Sequence, residues 1–381
     1  MTPKPTLPQY NGANVRGIVP ALLAPAMAAV AAPVAARQAA SLPSWFPSAV
    51  SAARQVVLLV LDGLGWEQLQ DRLAVAPTLA AMQGGPITTV APSTTATALT
   101  SITTGLTPGE HGLVGYRMEL AGEVLNVLRW NGDKGDLRRK FAPAETQPFA
   151  PFMGERVAVV SKAELESTAF TEAHLRGSEQ VGWRVASSLP LTVADHLRRG
   201  DRLVYAYYDG IDKVAHERGF GEFYDAELRA ADRMVADLIE LLPPGAALLV
   251  TADHGQVDIG TRIVTPHDDV MKMTRDQSGE GRFRWLHAKP GAAADLLAAA
   301  KTHHGDVAWV HSRAELIDAG WFGPVVSQPV AARYGDVALV PHQPISFHDP
   351  DDSGPYPLIC RHGSLTSAEM LVPLLAFTNE Q

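Results

Sequence analysis

Carboxylate and imidazole side chains occur along this chain in short clusters with spacings that suit metal binding. Asp212 and His216 are four residues apart, so on a helical turn both side chains point the same way and can reach one ion. Asp253 and His254 are adjacent, and Gly255 after them permits a sharp backbone turn. A buried, hydrogen-bonded Asp–His pair is the alternative interpretation. The chemistry that these residue types favour is the binding of divalent cations.

A hydroxyl-rich stretch at residues 91–105 could supply a nucleophile. Pro92 followed by Ser93 indicates a turn and a helix entry, with a helix predicted over 97–103. A helix N-terminus offers free backbone N–H groups and the positive end of the helix dipole, and anions bind there. On its own, such a stretch is more commonly a helix cap or a solvated loop. The hydroxyls of Thr94 and Thr95 become candidates because of the clusters elsewhere.

Predicted strands place these residues at one edge of a sheet. Residues 55–61 form a continuous apolar run that ends at Asp62, which is typical of a buried parallel strand. Similar runs at 202–208 and 246–251 precede the other two acidic clusters. Ligand sites of open α/β sheets lie beyond the carboxyl ends of the strands. For Asp62, capping of the next helix is the alternative.

Composition limits the class of protein. The chain has 381 residues, with 46% hydrophobic and 19% charged residues, which indicates a globular α/β protein of one large domain with insertions or of two domains. The net charge of −9 and the lack of any Lys/Arg run argue against nucleic-acid binding. Cys360 is the single cysteine, so no intrachain disulfide can form.

The predicted organisation has three parts. Residues 1–50 form an N-terminal extension, 51–260 and 335–381 form the catalytic core, and 261–334 form a small inserted α+β lobe. Strands are also predicted at 86–91 and 156–160, and a hairpin at 116–130. A Pro-rich loop with irregularly spaced acidic and histidine residues is predicted to be solvated rather than metal-binding; its members are His342, His348, Asp349, Asp351 and Asp352.

The N-terminal extension contains an apolar, alanine-rich run at 18–36. If it acts as a signal peptide, the protein is secreted or periplasmic. Pro20 and Pro25 interrupt the run and basic residues are few, so a surface helix packed on the core is the other interpretation, and a cytoplasmic location is expected. A membrane span is not expected, because the run barely reaches the ~20 residues needed and contains prolines.

There are more candidate ligands than one tetrahedral metal site can take, and their number suits two sites. Carboxylates with imidazoles suit Zn²⁺ or Mn²⁺ and disfavour Ca²⁺, which takes oxygen ligands. Two cations about 4 Å apart can clamp the attacking and leaving oxygens of a phosphoryl centre and lower the pKa of a threonine hydroxyl. The candidates are Asp62, Thr94 or Thr95, Asp212, His216, Asp253, His254 and His362.

The motifs taken together, in this order, resemble the alkaline phosphatase superfamily, and within it the type I phosphodiesterase/nucleotide pyrophosphatase family. The matching segments are Val60-Leu61-Asp62-Gly63, Pro92-Ser93-x-Thr95, Thr104-Gly105-Leu106, His111-Gly112, Asp212-x-x-x-His216, Asp253-His254-Gly255 and His362-Gly363. The resemblance covers about 56–255 and the C-terminal end. It implies a mostly parallel central sheet with helices on both faces.

The resemblance also implies a role for each matching residue. Thr95 is the expected nucleophile, with Thr94 as a near rival, and Asp209 is a lesser rival to Asp212. The implied ligands of one zinc are Asp62, Thr95, Asp253 and His254, and those of the other are Asp212, His216 and His362.

The expected activity is two-metal hydrolysis of phosphodiester or pyrophosphate bonds in a small-molecule phosphoester, through a phospho-threonine intermediate. Related alternatives are a phosphomonoesterase or a phosphonate hydrolase; a non-catalytic, metal-stabilised relative is a different class. Two positions depart from the family pattern. The nucleotide pyrophosphatases usually place a bulky aromatic residue after the nucleophile, where this chain has Ala96, and a phosphate-binding asparagine where it has Tyr116. Tyr116 is therefore the expected phosphate contact, through its hydroxyl.

Overall fold

The computed structural model describes residues 3–23, 42–352 and 357–379. Helices and strands alternate along most of the chain. The strands are β1 (Gln55–Leu61), β2 (Gln83–Thr88), β3 (Arg117–Leu120), β4 (Glu123–Asn126), β5 (Asn131–Gly132), β6 (Gly135–Asp136), β7 (Ala158–Lys162), β8 (Glu179–Trp183), β9 (Leu203–Tyr208), β10 (Ala246–Thr251), β11 (Val257–Asp258), β12 (Ile263–Val264), β13 (Thr274–Glu280), β14 (Phe283–Ala288), β15 (Ala308–Ser312), β16 (Val337–Pro341), β17 (Ser346–Phe347), β18 (Cys360–Arg361) and β19 (Leu371–Thr378).

The helices connect the strands of the main sheet and of a second, smaller sheet. They are α1 (Trp66–Gln70), α2 (Pro77–Ala81), α3 (Thr95–Thr104), α4 (Pro108–His111), α5 (Pro143–Thr146), α6 (Ala169–Leu175), α7 (Leu189–Arg199), α8 (Gly210–Arg218), α9 (Glu222–Leu241), α10 (Asp268–Met273), α11 (Ala293–His304), α12 (Arg313–Asp318), α13 (Gln328–Ala331) and α14 (Ser367–Met370). Residues 18–23 are helical as well.

The main sheet of the described residues has seven strands in the order β2-β19-β10-β1-β9-β7-β8. Strand β19 is antiparallel to both of its neighbours, and the other pairings are parallel. The central strands β9 and β10 are buried along their whole length, as apolar runs covered by helices on both sides must be. The fold class expected from the sequence is confirmed.

Several predicted element boundaries are wrong, and the strand predicted at 156–160 lies at Ala158–Lys162. The strand predicted at 86–91 lies at Gln83–Thr88. Its first residues have little apolar character and belong to the strand because their backbone pairs with β19. The helix predicted over 97–103 begins at Thr95, with Thr94 as its N-cap. The earlier start places the hydroxyl of Thr95 on the first helical residue.

A second sheet in the described residues has four strands in the order β13-β14-β16-β15. Strand β16 is hydrogen-bonded to β14 and β15, so Val337–Pro341 belongs to this sheet although the sequence analysis assigned 335–381 to the core. Helix α11 packs on β15 and β16, and a separate small apolar core forms beneath it.

Residues near the start of the described chain pack on the core. Val15 and Ile18 are fully buried in the main hydrophobic cluster, and the Asn14 side chain donates to the carbonyl of Thr89. Most of the candidate signal segment 18–36 lies outside the described residues. Among the residues that the structure describes, no helix combines the length and apolarity that crossing a bilayer requires.

Candidate metal centre

Three adjacent strands deliver the acidic residues to one edge of the sheet. Asp62 directly follows β1, Asp253 follows β10, and Asp212 lies in the first turn of α8, just after β9. Because β1 is hydrogen-bonded to β9 on one side and β10 on the other, all three carboxylates converge. Their convergence follows from parallel strands ending together.

The first cluster is fully buried and contains Asp62, Asp253 and His254. Nε2 of His254 lies 3.5 Å from Oδ1 of Asp62 and 3.4 Å from Oδ2 of Asp253. The hydroxyl of Thr95 lies 3.1 Å from the same Nε2. Oxygen and nitrogen ligand atoms from three separate parts of the sequence therefore surround one point.

The second cluster contains Asp212, His216 and His362 and is half-buried. Nε2 of His216 lies 3.3 Å from Oδ1 of Asp212, and Nε2 of His362 lies 4.0 Å from the same oxygen. The two clusters adjoin, since the rings of His254 and His362 stack with centroids 3.6 Å apart. All seven residues predicted as metal ligands are brought together.

Backbone carbonyls orient all three imidazoles in the same way. Nδ1 of His216 bonds to the carbonyl of Cys360 at 2.6 Å, Nδ1 of His254 to that of Gly255 at 3.1 Å, and Nδ1 of His362 to that of Ser93 at 3.0 Å. A carbonyl only accepts, so each Nδ1 carries the proton. Each Nε2 then presents its lone pair to a cluster, which is the arrangement that metal-ligating histidines show.

The charges of the cluster fit divalent cations. Burial raises the pKa of Asp62 well above its usual value, and the neighbouring Asp253 and Asp212 carboxylates raise it further. Burial and the imidazoles of His254 and His216 lower the pKa of His362. Oδ1 of Asp62 and Oδ2 of Asp253 are buried without a hydrogen-bond partner among the described residues. Metal ions would supply both the missing partners and the missing positive charge.

The structure separates Thr94 from Thr95. The side chain of Thr94 is buried near Glu280, whose carboxylate lies 3.9 Å from Nδ1 of His362, the ring nitrogen on the side opposite the cluster. Thr95 is the first residue of α3, and its hydroxyl faces His254. A loop contact holds this helix start against the second cluster, because Ser93 pairs through its backbone with Gly363, next to His362. This placement favours Thr95 as the candidate nucleophile.

Two further candidates from the sequence lie elsewhere. The carboxylate of Asp209 forms ion pairs with Lys162 at 2.8 Å and with Lys213 at 2.5 Å, and Asp209 belongs to neither metal cluster. The hydroxyl of Tyr116 accepts a hydrogen bond from the side chain of Asn126 at 2.7 Å. The role of Tyr116 as a phosphate contact stays a prediction.

Sequence reasoning missed several residues that position the ligands. The Tyr207 hydroxyl donates to Oδ2 of Asp62, and Nε2 of Gln256 donates to Oδ1 of Asp212 at 2.9 Å. Gln256 follows Asp253-His254-Gly255 in the same loop, and that proximity was an available signal. Tyr207 lies in β9, where an aromatic residue is more commonly part of the core.

The loop predicted to be solvated is partly buried. Asp349 is 3% exposed, and its Oδ2 forms ion pairs with Arg117 at 2.5 Å and with Arg284 at 2.9 Å. Spacing along the chain does not reveal this, because both arginines come from distant strands. The Asp349 carboxylate is thus neutralised by two arginines, and the expectation that this loop is not a metal site stays a prediction.

Comparison with known proteins identifies the fold and the family. One similar solved structure is a murine ectonucleotide pyrophosphatase/phosphodiesterase 5, described as inactive and in complex with AMP, with 14% identity over 86% of this chain and 90% of that one and a TM-score of 0.65. The human ectonucleotide pyrophosphatase/phosphodiesterase 5 matches with 14% identity over 85% of this chain and 88% of that one and a TM-score of 0.63. Phosphonoacetate hydrolase from Sinorhizobium meliloti 1021, in complex with phosphonoformate, matches with 18% identity over 86% of this chain and 90% of that one and a TM-score of 0.64. At these identities the likeness establishes the alkaline phosphatase-like fold. No curated protein gives a significant match.

A family model covers most of the chain. The model of the type I phosphodiesterase / nucleotide pyrophosphatase family matches residues 56–365, which span both metal clusters and the threonine helix. Its span includes every residue that the sequence analysis assigned to the two clusters. The chain therefore belongs to the type I phosphodiesterase / nucleotide pyrophosphatase family, whose members hydrolyse phosphoester bonds.

Proposed function

We propose that the chain is a two-metal-dependent hydrolase of phosphodiester or pyrophosphate bonds that acts through a covalent intermediate on Thr95. The observation that carries the proposal is the position of the Thr95 hydroxyl, 3.1 Å from His254 beside two adjoining Asp/His clusters. The hydroxyl stands at a helix start, next to buried carboxylate oxygens that have no hydrogen-bond partner among the described residues. With cations bound there, such a hydroxyl is suited to nucleophilic attack on phosphorus.

Each cluster would hold one divalent cation, with Zn²⁺ or Mn²⁺ suited to the mixture of carboxylates and imidazoles. Asp62, Asp253, His254 and Thr95 would bind one ion, and Asp212, His216 and His362 the other. When bound, the ions supply positive charge to the phosphoryl oxygens and lower the pKa of the threonine hydroxyl.

The reaction would consist of two successive displacements at phosphorus, with Thr95 as the nucleophile of the first. In the first, the bond from Oγ1 of Thr95 to phosphorus forms, the ester P–O bond breaks, and the threonine proton ends on the leaving alcohol. In the second, a water oxygen bonds to phosphorus, the P–Oγ1 bond breaks, and Thr95 regains a proton. The first turn of α3 directs backbone N–H groups toward negative charge on phosphorus.

A phosphonate hydrolase is the second candidate, and it would use the same centre. It is supported by the similarity to the Sinorhizobium phosphonoacetate hydrolase, whose TM-score of 0.64 lies between the 0.65 and 0.63 of the murine and human pyrophosphatase/phosphodiesterase 5 structures. The retained hydroxyl of Thr95 argues against a non-catalytic relative that keeps the metals only as a structural support.

The decisive experiment combines metal content with trapping of the intermediate. Metal-stripped protein should hydrolyse bis(4-nitrophenyl) phosphate only after Zn²⁺ or Mn²⁺ is restored, and acid-quenched enzyme should carry the substrate's phosphoryl group on Thr95 by mass spectrometry. Thr95→Ala should abolish turnover while two ions remain bound, and Thr94→Val should keep turnover. Turnover by Thr95→Ala would move the nucleophile, and metal binding without turnover of any phosphoester or phosphonate would indicate the non-catalytic class.

A further inference from the structure

A cavity of about 240 Å³ lies beside the candidate nucleophile. Asp62, Thr95 and Asp212 line one part of it, and the rest combines four leucines and several aromatic side chains with polar ones, among them Ser161, Thr168 and Thr171. The metal centre explains the acidic part. The apolar part has no role in metal binding and faces the position where a substrate's phosphorus would sit.

The geometry of α3 shows which part of a substrate the cavity faces. Leu99 lines the cavity and is four residues after Thr95, so both side chains lie on the same face of the helix. In-line displacement places the leaving group opposite the attacking oxygen. A group packed against Leu99 lies beside Thr95 rather than opposite it, so it is the group that stays on phosphorus.

The size and the aromatic residues of the cavity disfavour a nucleoside. Pockets for drug-sized ligands have volumes of roughly 300–1,000 Å³, and this cavity is smaller. One face of Phe170 is covered by the His174 ring, with centroids 3.9 Å apart and planes 18° apart. Tyr207 is held by its hydrogen bond to Asp62. Ala96, beside the nucleophile, is fully buried and offers no ring for a base to stack on.

The leucine side chains and the Tyr205 hydroxyl indicate which kind of ligand the cavity fits. Leu165 and Leu175 line the wall that α6 and the segment before it form. Tyr205 also lines the cavity, and its buried hydroxyl has no hydrogen-bond partner among the described residues. The lysine at the rim, Lys213, is directed at Asp209 by an ion pair of 2.5 Å. Thr168 and Thr171 also line the cavity, and their hydroxyls bond to each other at 3.0 Å. The wall therefore presents mostly uncharged surface, with apolar leucines and a hydrogen-bond donor at Tyr205.

We propose that this cavity binds a compact, uncharged aromatic or branched aliphatic group that remains attached to phosphorus during the first displacement. The preferred substrates are then aryl or alkyl phosphodiesters and phosphonate monoesters rather than nucleotides. This inference rests on the proposed function, because it assumes attack by Thr95.

The test compares the 4-nitrophenyl esters of methylphosphonate, phenylphosphonate and carboxymethylphosphonate, which differ in the retained group, and adds the phosphodiesters 4-nitrophenyl phenyl phosphate and 4-nitrophenyl thymidine 5′-phosphate as a second matched pair. With metal-loaded enzyme, kcat/KM for the phenylphosphonate ester should exceed that for the methylphosphonate ester by about tenfold or more, since apolar contacts of this size give factors of about 10–200. The carboxymethylphosphonate ester should fall below the phenylphosphonate ester, and the thymidine diester below the phenyl diester. A preference for either of those two would overturn the proposal.

Variants connect the selectivity to the cavity. Leu165→Glu should lower the phenyl-to-methyl ratio of kcat/KM about tenfold, because the phenyl ring would then meet a carboxylate. Leu191→Glu is the matched control, since Leu191 is 56% exposed on α7, and it should leave the ratio unchanged. An unchanged ratio in Leu165→Glu would overturn the proposal.

A binding measurement separates this inference from the proposed function. If no ester is hydrolysed, the proposed function fails, but the metal-loaded protein can still be melted with phenylphosphonate or methylphosphonate. A larger rise in Tm with phenylphosphonate, lost in Leu165→Glu, would support the cavity assignment. Equal shifts would overturn it.

Discussion

Arg282 and Glu369 form a two-point ion pair with neither side chain exposed to solvent: Nε lies 2.7 Å from Oε1, and Nη2 lies 2.8 Å from Oε2. Oε1 also accepts the backbone N–H of Ser364, and the carbonyl of Glu369 accepts that of Gly255. The pair thus joins the second sheet to the loops that carry His362 and His254. It supports the metal centre from outside its ligand set.

Glu369→Gln should destabilise the protein strongly, because Arg282 would keep its buried charge without a counter-charge. Removing one partner of a buried pair costs about 3–5 kcal/mol of unfolding free energy, measurable by urea denaturation. The double variant Arg282→Met/Glu369→Leu should recover part of that loss. Asp136→Asn breaks an exposed pair with Arg138 and serves as the control, with an unchanged midpoint. A Glu369→Gln variant as stable as this control would contradict the assigned role.

The metal ligands could be predicted from the sequence because each lies in or beside a recognisable local sequence pattern. Asp62 and Asp253 follow apolar strands, and Asp212 and His216 have helical spacing. The supporting contacts could not be predicted, because they join residues far apart in sequence. Arg282 and Glu369 are 87 positions apart, and no local pattern marks such a pair.

Strand pairing limited the prediction of the fold in the same way. The apolar runs of β1, β9 and β10 were visible because burial on both faces demands them. The polar start of β2 carries no such pattern, and β16 joins the second sheet through hydrogen bonds to two distant strands.

Tyr207→Phe should weaken metal binding without unfolding the protein. The Tyr207 hydroxyl donates to Oδ2 of Asp62 and stabilises the ionised carboxylate that a cation needs. Loss of such an outer partner typically lowers metal affinity 10–100-fold, which competition with a chromogenic chelator measures. Tyr224→Phe is the matched control, because the Tyr224 hydroxyl is buried without a hydrogen-bond partner among the described residues. Equal affinities in the two variants would remove Tyr207 from the support of Asp62.

Acid should destabilise the protein through His111. Burial, with the charge of Arg333, lowers the pKa of His111 to about 3 from 6.5. Between these values the unfolded chain binds a proton that the folded chain does not, so the unfolding free energy falls as pH falls, by up to about 1.4 kcal/mol per pH unit. His111→Gln lacks this group. Its deficit relative to the parent, measured by urea denaturation, should shrink between pH 6.5 and about pH 4.5; a constant deficit would contradict the buried neutral histidine.

Gly63 gives the sharpest test of how closely the backbone surrounds the metal centre. Its φ is +73°, and a Cβ there would lie 2.6 Å from Nε2 of Gln256 and 2.9 Å from Cβ of Asp212. Gly63→Ala must therefore displace Asp212, a ligand candidate of the second cluster, in addition to straining the backbone. We expect the variant to lose one bound metal ion and most of its hydrolytic activity.

The control for Gly63→Ala isolates the backbone cost. Gly154 has a φ of +86° and no atom within 4 Å of a built Cβ, so Gly154→Ala tests strain alone, about 1–2 kcal/mol. Metal analysis of both variants distinguishes the two effects. Gly154→Ala should keep its full metal content, because the added methyl group contacts no neighbouring atom and residue 154 is distant from the ligands in sequence. If Gly63→Ala also retained both ions, the prediction that a side chain at position 63 displaces Asp212 from the second cluster would be wrong.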